Sequence, residues 1–168
     1  MILGAIGIIG SIEANRLTSG DEFCTSCHTM ADVAADSRFR QSSHQHNSVG
    51  ILASCSDCHI PRTNWFVETY THLKKGFRDV IAERTGNFSN PVVWNARRVE
   101  LADYARDEMR QNDSVTCRSC HQVRAIRPAS KSGQAVHAAL GQGTTTCIDC
   151  HANLVHAPPT PGSATSNH

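Results

Sequence analysis

Eight cysteines and ten histidines stand in a chain of 168 residues, and the cysteines fall without remainder into four copies of one pattern. The copies are Cys24-Thr25-Ser26-Cys27-His28, Cys55-Ser56-Asp57-Cys58-His59, Cys117-Arg118-Ser119-Cys120-His121 and Cys147-Ile148-Asp149-Cys150-His151. Two thiols at this spacing can each form a thioether to a vinyl group of one porphyrin, and the next residue sets an imidazole beneath the iron. Cys-x-x-Cys-His is the attachment pattern of haem c. Structural zinc also uses Cys-x-x-Cys units, but it has no need of His directly after every second Cys. A disulfide scaffold needs no such regularity, and a thioredoxin-like dithiol would occur once, beside a βαβ pattern. Recurrence without exception selects haem, four times over.

A low-spin haem that carries electrons usually has two strong axial ligands. The motifs supply His28, His59, His121 and His151 on the proximal side, which leaves His44, His46, His72, His137, His156 and His168. Spacing singles out two of these. Between His28 and Cys55 lie 26 residues, and between His121 and Cys147 lie 25; His44 stands 11 before Cys55 and His137 stands 10 before Cys147. His156 follows His151 by five residues and reaches its own iron with difficulty, so another haem is its expected target. His46, His72 and His168 read as ordinary polar residues. Met30 lies two residues after His28; it is either a space-filler or a thioether ligand that raises the potential.

The elements that must position these groups are read from periodicity. The matched spacings describe an internal duplication: a first di-haem half over 19–62, a helical connection over 63–116 and a second di-haem half over 117–156. Repeated units of this kind do not bury their faces alone. The connection reads as two helices. Phe66, Tyr70, Leu73, Phe77, Val80 and Ile81 share one face, with Gly86 as a stop. Ser89 or Asn90 before Pro91 starts the second helix, which carries Trp94, Leu101, Ala105 and Met109 along one stripe. Both stripes are expected to be core, packed on porphyrin or on a neighbouring helix. No stretch alternates as a strand does, so the fold class is mainly α with extensive loops. On the first connecting helix His72, Lys75 and Asp79 share a face away from the apolar stripe. They read either as a solvated face or as a site that takes protons from a hydroxyl, which needs a carboxylate or imidazole within hydrogen-bond reach.

Composition bounds the rest. The chain is 39% apolar and only 5% aromatic, thin for an ordinary core, and its formal net charge of +1 gives no basic stripe. Nucleic-acid binding is set aside on that ground. Residues 1–12 are apolar and uncharged. They fall short of the roughly 20 residues that a bilayer-spanning helix needs. They also lack the basic n-region and cleavage site of a signal peptide. Because they run almost directly into the first motif, 1–18 is read as the outer part of a membrane anchor, and 157–168 as a flexible tail.

At this level of detail the chain resembles the NapC/NirT family of membrane-anchored tetrahaem quinol dehydrogenases, which includes the small subunit of the cytochrome c nitrite reductase complex. The resemblance runs from Glu22-Phe23-Cys24-Thr25-Ser26-Cys27-His28-Thr29-Met30 through the second motif and Asn112-Asp113-Ser114 to Thr146-Cys147-Ile148-Asp149-Cys150-His151 and His156. It implies a multihaem cytochrome c fold with an N-terminal transmembrane helix and a haem domain outside the cytoplasmic membrane. It offers Met30 in place of His28 on the first iron, with Asp79 on the open side by a quinol pocket. For the other irons it implies His59 with His156, His121 with His44, and His151 with His137. Gly76-Phe77-Arg78-Asp79-Val80 is similar to the family's acid-bearing segment. Two departures stand out. Arg62 occupies a place where many relatives have His, and the anchor is short.

The expected function follows from the resemblance: quinol gives up electrons near the first haem, Asp79 with His72 or Lys75 takes the protons, and a periplasmic reductase or other multihaem protein receives the electrons. An oligomeric complex is compatible with this. The alternatives are the same scaffold feeding electrons into the quinone pool, or a soluble periplasmic shuttle with a cleaved export signal. A structural haem protein or gas sensor fits poorly, since one haem suffices for sensing.

Overall fold

The computed structural model describes residues 2–140 and 143–156, so the 157–168 tail and His168 lie outside the described residues. The order of helices is α1 (Ile2–Thr18), α2 (Asp21–Cys24), α3 (His28–Ala35), α4 (Ser37–Gln41), α5 (Cys55–His59), α6 (Trp65–Thr85), α7 (Pro91–Gln111), α8 (Val115–Arg118), a 3₁₀ turn (Val123–Ala125), α9 (Lys131–Ala139) and α10 (Cys147–Cys150). The fold is mainly helical, and no strand occurs among the described residues. The second, third and fourth motifs each open on a short helix, whereas the first straddles the end of α2 and the start of α3.

The two long helices start and stop for local reasons. The Asn64 side chain accepts from Val67 N–H at the head of α6. Asn90, rather than Ser89, caps α7, accepting from Val92 N–H with Pro91 in the first turn. Either cap is worth about 1 kcal/mol relative to Ala. Gly86 closes α6 with an ordinary helical φ of −79°. Space rather than conformation demands glycine there, since a Cβ would collide with the Phe88 ring and the Ala82 carbonyl. The left-handed residue that turns the chain is Asn87, at φ 49°. Asp113 and Ser114 then form a left-handed pair at φ 53° and 50°, turning α7 into the third motif. Such residues are retained where the surroundings over-determine them. Ser114 is fully buried, its N–H donates to Met109 O at 2.7 Å, and its Oγ accepts from Ile148 N–H in the fourth motif at 3.3 Å.

Helix α6 lies along α1 in the same direction. Trp65 Nε1 donates to Ser11 Oγ (3.1 Å), Asn15 Nδ2 donates to Thr69 Oγ1 (2.8 Å), and His72 reaches Ser19 Oγ (3.2 Å) and Thr18 Oγ1 (3.4 Å). α1 is about 26 Å long at 1.5 Å per residue, and among the described residues no helix is long and apolar enough to cross a membrane.

The apolar stripe of α6 packs against no neighbouring helix among the described residues. Phe66 and Phe77 are 75% and 73% exposed, and Tyr70, Leu73, Val80 and Ile81 are exposed beside them. The reason is that both inward faces of α6 are taken by polar ties, one to α1 and one to α7 and the second motif, which turns the stripe outward. The α7 stripe of Trp94, Leu101, Ala105 and Met109 is half-buried. Among the described residues no apolar side chain is fully buried; the buried ones are Asn15, Thr29, Ser42, Ser56, Ser114, Thr116 and Thr146.

Those polar ties are strongest at the motif heads. Ser54 and Asp57 form a capping box at the start of α5, as do Thr146 and Asp149 at α10. Ser56, between the second pair of cysteines, donates to Ser19 O (2.8 Å), and Cys55 N–H donates to Asp21 Oδ1 (2.8 Å). Replacing Ser54 with Ala in the haem-loaded protein is expected to cost about 1 kcal/mol. It should appear as a lowered melting temperature with the absorbance spectrum unchanged; an unchanged melting temperature would remove the cap's role.

Candidate functional site

The imidazoles meet in pairs. His44 and His121 have ring centroids 6.0 Å apart, His59 and His156 6.3 Å, and His137 and His151 6.1 Å. With metal–imidazole bonds of about 2 Å and about 1.1 Å from nitrogen to ring centre, two imidazoles on opposite sides of one metal have centroids roughly 6.2 Å apart. Each gap therefore fits one iron, and each pair joins a motif histidine to one from outside the motifs. These are also the pairs that the resemblance implies. Two of the three form between residues of 19–62 and residues of 117–156.

Local structure explains how the outer rings are aimed. His44 sits in a turn fixed by Ala53 N–H donating to its carbonyl at 3.0 Å. His137 lies in α9 with Nδ1 2.8 Å from Gly133 O. A carbonyl only accepts, so Nδ1 carries the proton and Nε2 is free as a donor atom for a metal, the usual arrangement of a ligating histidine. His156 stacks on Phe39, with centroids 5.3 Å apart and planes 5° from parallel. Nδ1 of His44 and of His156 are buried with no hydrogen-bond partner in the polypeptide. Burial, with the neighbouring His121, lowers the pKa of His44. Burial also lowers that of His156 and pushes His59 down to about 4 with help from Lys75 and His156. All three rings are thus held neutral, as metal binding requires.

Four of the thiols are also held protonated. Burial, then Asp21, pushes Cys55 up to about 12; burial, then Cys117, pushes Cys58 up to about 11; Cys24 and Cys117 are raised chiefly by burial. A dithiol redox centre needs the reverse shift. No two cysteines are disulfide-bonded, and among the described residues no three Cys, His, Asp or Glu side chains gather into a metal cage. The motifs abut in chain order. Cys24 lies against Cys55, Cys58 beside Cys117 and Cys120, and Cys117 beside Cys147. Accordingly α2 packs on α5, and α5 on α8.

The first motif differs. His28 opens α3 with its side chain 70% exposed, its Nδ1 4.0 Å from Asp32, and it joins no ring pair among the described residues. Met30 is partly exposed on the same helix. Thr29 docks α3 on α6, its Oγ1 donating to Glu83 at 2.6 Å. One turn earlier on α6 stands Asp79, close enough for its charge to be felt at Cys24. Asp79 is itself solvent-exposed, yet desolvation by the surrounding protein raises its pKa against the opposing charges of Lys75 and Arg78.

His72, Lys75 and Asp79 share a face in the sequence, but the structure gives them different partners. His72 is hydrogen-bonded to the end of α1. Lys75 Nζ lies 2.8 Å from Glu108 Oε2 and 2.8 Å from His59 O. Only Asp79 stands by the first motif. Neither His72 nor Lys75 belongs to a solvated face. Arg62 clasps the second motif through Asp57 (3.0 Å) and Ser56 Oγ (2.8 Å). His46 joins no ring pair among the described residues. Sequence reasoning missed Glu108, Glu83 and Phe39, for which no local pattern exists. It also missed the capping boxes, whose Ser-x-x-Asp and Thr-x-x-Asp spacings were in plain view.

A family model described as the NapC/NirT cytochrome c family, N-terminal region, matches residues 1–161. A probable tetraheme cytochrome c-type protein of Nitrosomonas europaea is 38% identical over 157 residues, covering 92% of this chain and 65% of that protein. A putative tetraheme cytochrome-c type protein of Allochromatium vinosum is 32% identical over 163 residues, covering 95% and 86%. Cytochrome c-type protein NapC of Paracoccus pantotrophus is 32% identical over 161 residues, covering 94% and 67%. The chain spans about two fifths to two thirds of the length of the first curated relatives it matches. No solved structure matches.

The ring pairs give an expected outcome. Replacing His44, His137 or His156 with Ala in the haem-loaded protein should each convert one low-spin signal to high-spin in electron paramagnetic resonance. Three unaltered spectra would dissolve the pairing.

Proposed function

The chain belongs to the NapC/NirT cytochrome c family, and from that premise we propose that it takes electrons from quinol at the outer face of the cytoplasmic membrane and hands them to a periplasmic redox protein. As a tetrahaem c-type cytochrome it carries four covalently bound haems c. Each haem supplies a one-electron iron couple whose potential the axial ligands and surroundings set. In this reading Cys24 and Cys27, Cys55 and Cys58, Cys117 and Cys120, and Cys147 and Cys150 hold the four groups. His59 with His156, His121 with His44, and His151 with His137 would hold the irons of the last three, and Met30 or His28 that of the first. The abutting motif cysteines support a continuous row.

The observation that carries the reading is the position of Asp79. It is a carboxylate on the exposed side of α6 whose proton affinity is nonetheless raised by desolvation from the protein atoms around it, and it stands beside the one motif whose histidine has no ring facing it among the described residues. A quinol hydroxyl needs a proton acceptor as it is oxidised, and a raised carboxyl pKa suits general-base work nearer neutrality. The base must be ionised to act, so its contribution is present above its pKa and lost as pH falls through it. Membrane placement is supported by Trp65, whose indole meets α1 at Ser11, where the uncharged run ends and Glu13 and Arg16 begin. Tryptophan at that level is typical of a membrane–water boundary.

Two experiments test this. Asp79→Asn should slow quinol oxidation by roughly 10²-fold or more while leaving the haem spectra intact; full turnover in the variant would exclude the proton role. The mature protein should stay with the membrane fraction through a high-salt wash, and its recovery as a soluble protein would exclude the anchor.

A further inference from the structure

Lys75 lies on α6 four residues before Asp79, yet its ammonium is committed elsewhere. It touches the carbonyl of His59 and the carboxylate of Glu108, each at 2.8 Å, and both side chains of the ion pair are 24% exposed. The other oxygen of Glu108 accepts from Tyr104 OH at 2.9 Å, and the Arg78 guanidinium lies 4.0 Å over the Tyr104 ring. Both carboxylate oxygens are therefore engaged. Burial would raise the Glu108 pKa, but the hydrogen bond and charge of Lys75 prevail and hold it below its ordinary value. The pair borders a narrow seam that Cys58, His59, Met109 and Thr116 also line. One full charge of each sign thus stands against the second attachment motif, where partial burial weakens screening by salt.

We propose that Lys75 and Glu108 are positioning residues for the second haem, on whose reduction potential their opposed charges act in balance. This rests on the reading of His59 as an axial ligand. The Lys75 N–H···O=C bond pins the backbone that carries the His59 ring and brings the ammonium close to the second motif. A positive charge near the iron favours the electron-rich state and raises the potential; a carboxylate lowers it. The two nearly cancel in the native protein, so removing either exposes the other.

The test is a redox titration of the haem-loaded protein followed by electron paramagnetic resonance. The second haem is identified as the low-spin signal that His156→Ala abolishes. Lys75→Met should lower the potential of that signal, Glu108→Gln should raise it, and the double variant should return toward the native value. Lys75→Arg, which keeps the charge, should stay close to the native potential. A merely structural tie between α6 and α7 would shift both single variants the same way or not at all, and either result overturns the proposal. If His156→Ala abolishes no low-spin signal, the ligand reading beneath the proposal falls first, and that outcome is distinct from same-sign shifts in a correctly identified haem. Glu108→Gln is nearly isosteric and keeps an oxygen for Lys75, so if Lys75→Met is poorly folded the Glu108→Gln shift is read alone: a rise supports the proposal, and a fall or no change overturns it.

Discussion

Folding a chain of this length requires apolar surface to leave water, because burial of that surface is the dominant favourable term against conformational entropy. Here the polypeptide does not bury it unaided: among the described residues every fully buried side chain is Asn, Ser or Thr. The apolar mass of the folded protein has to come from the four porphyrins that its family carries. That constraint explains the thin apolar content. It also agrees with an internal order that is polar. Serines, threonines and aspartates fix the peptide at points, and the motif rings and thiols are held by those points.

The attachment motifs are where that ordering is concentrated. Five residues of Cys-x-x-Cys-His make little more than one turn, too short to be stable as an isolated helix. Each needs outside help, and the structure supplies it by hydrogen bonds of an unusual kind for a core. Ser54 with Asp57 and Thr146 with Asp149 cap two of the turns. Ser56 and Cys55 fasten the second motif to the segment before the first, through Ser19 and Asp21. Ser114 fastens the third to the fourth, through Ile148. The result is a row of motifs in contact, in which short polar bonds tie the second to the segment before the first and the third to the fourth, while the second lies directly against the third.

Much of this was legible in the sequence, and the part that was not is instructive. The motifs, the helical class, the Pro91 start and the Gly86 stop follow from local rules, and the structure places them there. The duplication made His44 and His137 conspicuous, yet their ring partners are not duplicates: His137 meets His151 of the motif that follows it, whereas His44 passes over His59 to meet His121. Periodicity reports which residues share a face and is silent on what the face meets. The α6 stripe was expected on porphyrin or on a neighbouring helix, and the hydrogen bonds of His72, Lys75, Asn15 and Trp65 decide the rotation that turns it away from α1 and α7. Contacts between residues far apart in the chain, such as Lys75 with Glu108 and Phe39 with His156, leave no trace in local spacing.

Helix α6 carries the consequence furthest. Its face towards α1 is fixed by three hydrogen-bonded side chains over two turns, and its face towards α7 by Lys75 and by Arg78 over Tyr104. A rod held on two sides at these points has little freedom to rotate, so Asp79 and Lys75, one turn and about 6 Å apart along the axis, move together or not at all. One residue looks to the first motif and the other to the second. A substitution that turned α6 to bury its apolar stripe would therefore remove a carboxylate from one attachment point and an ammonium from the next. The exposed stripe is best understood as the cost of keeping those two charges where they are.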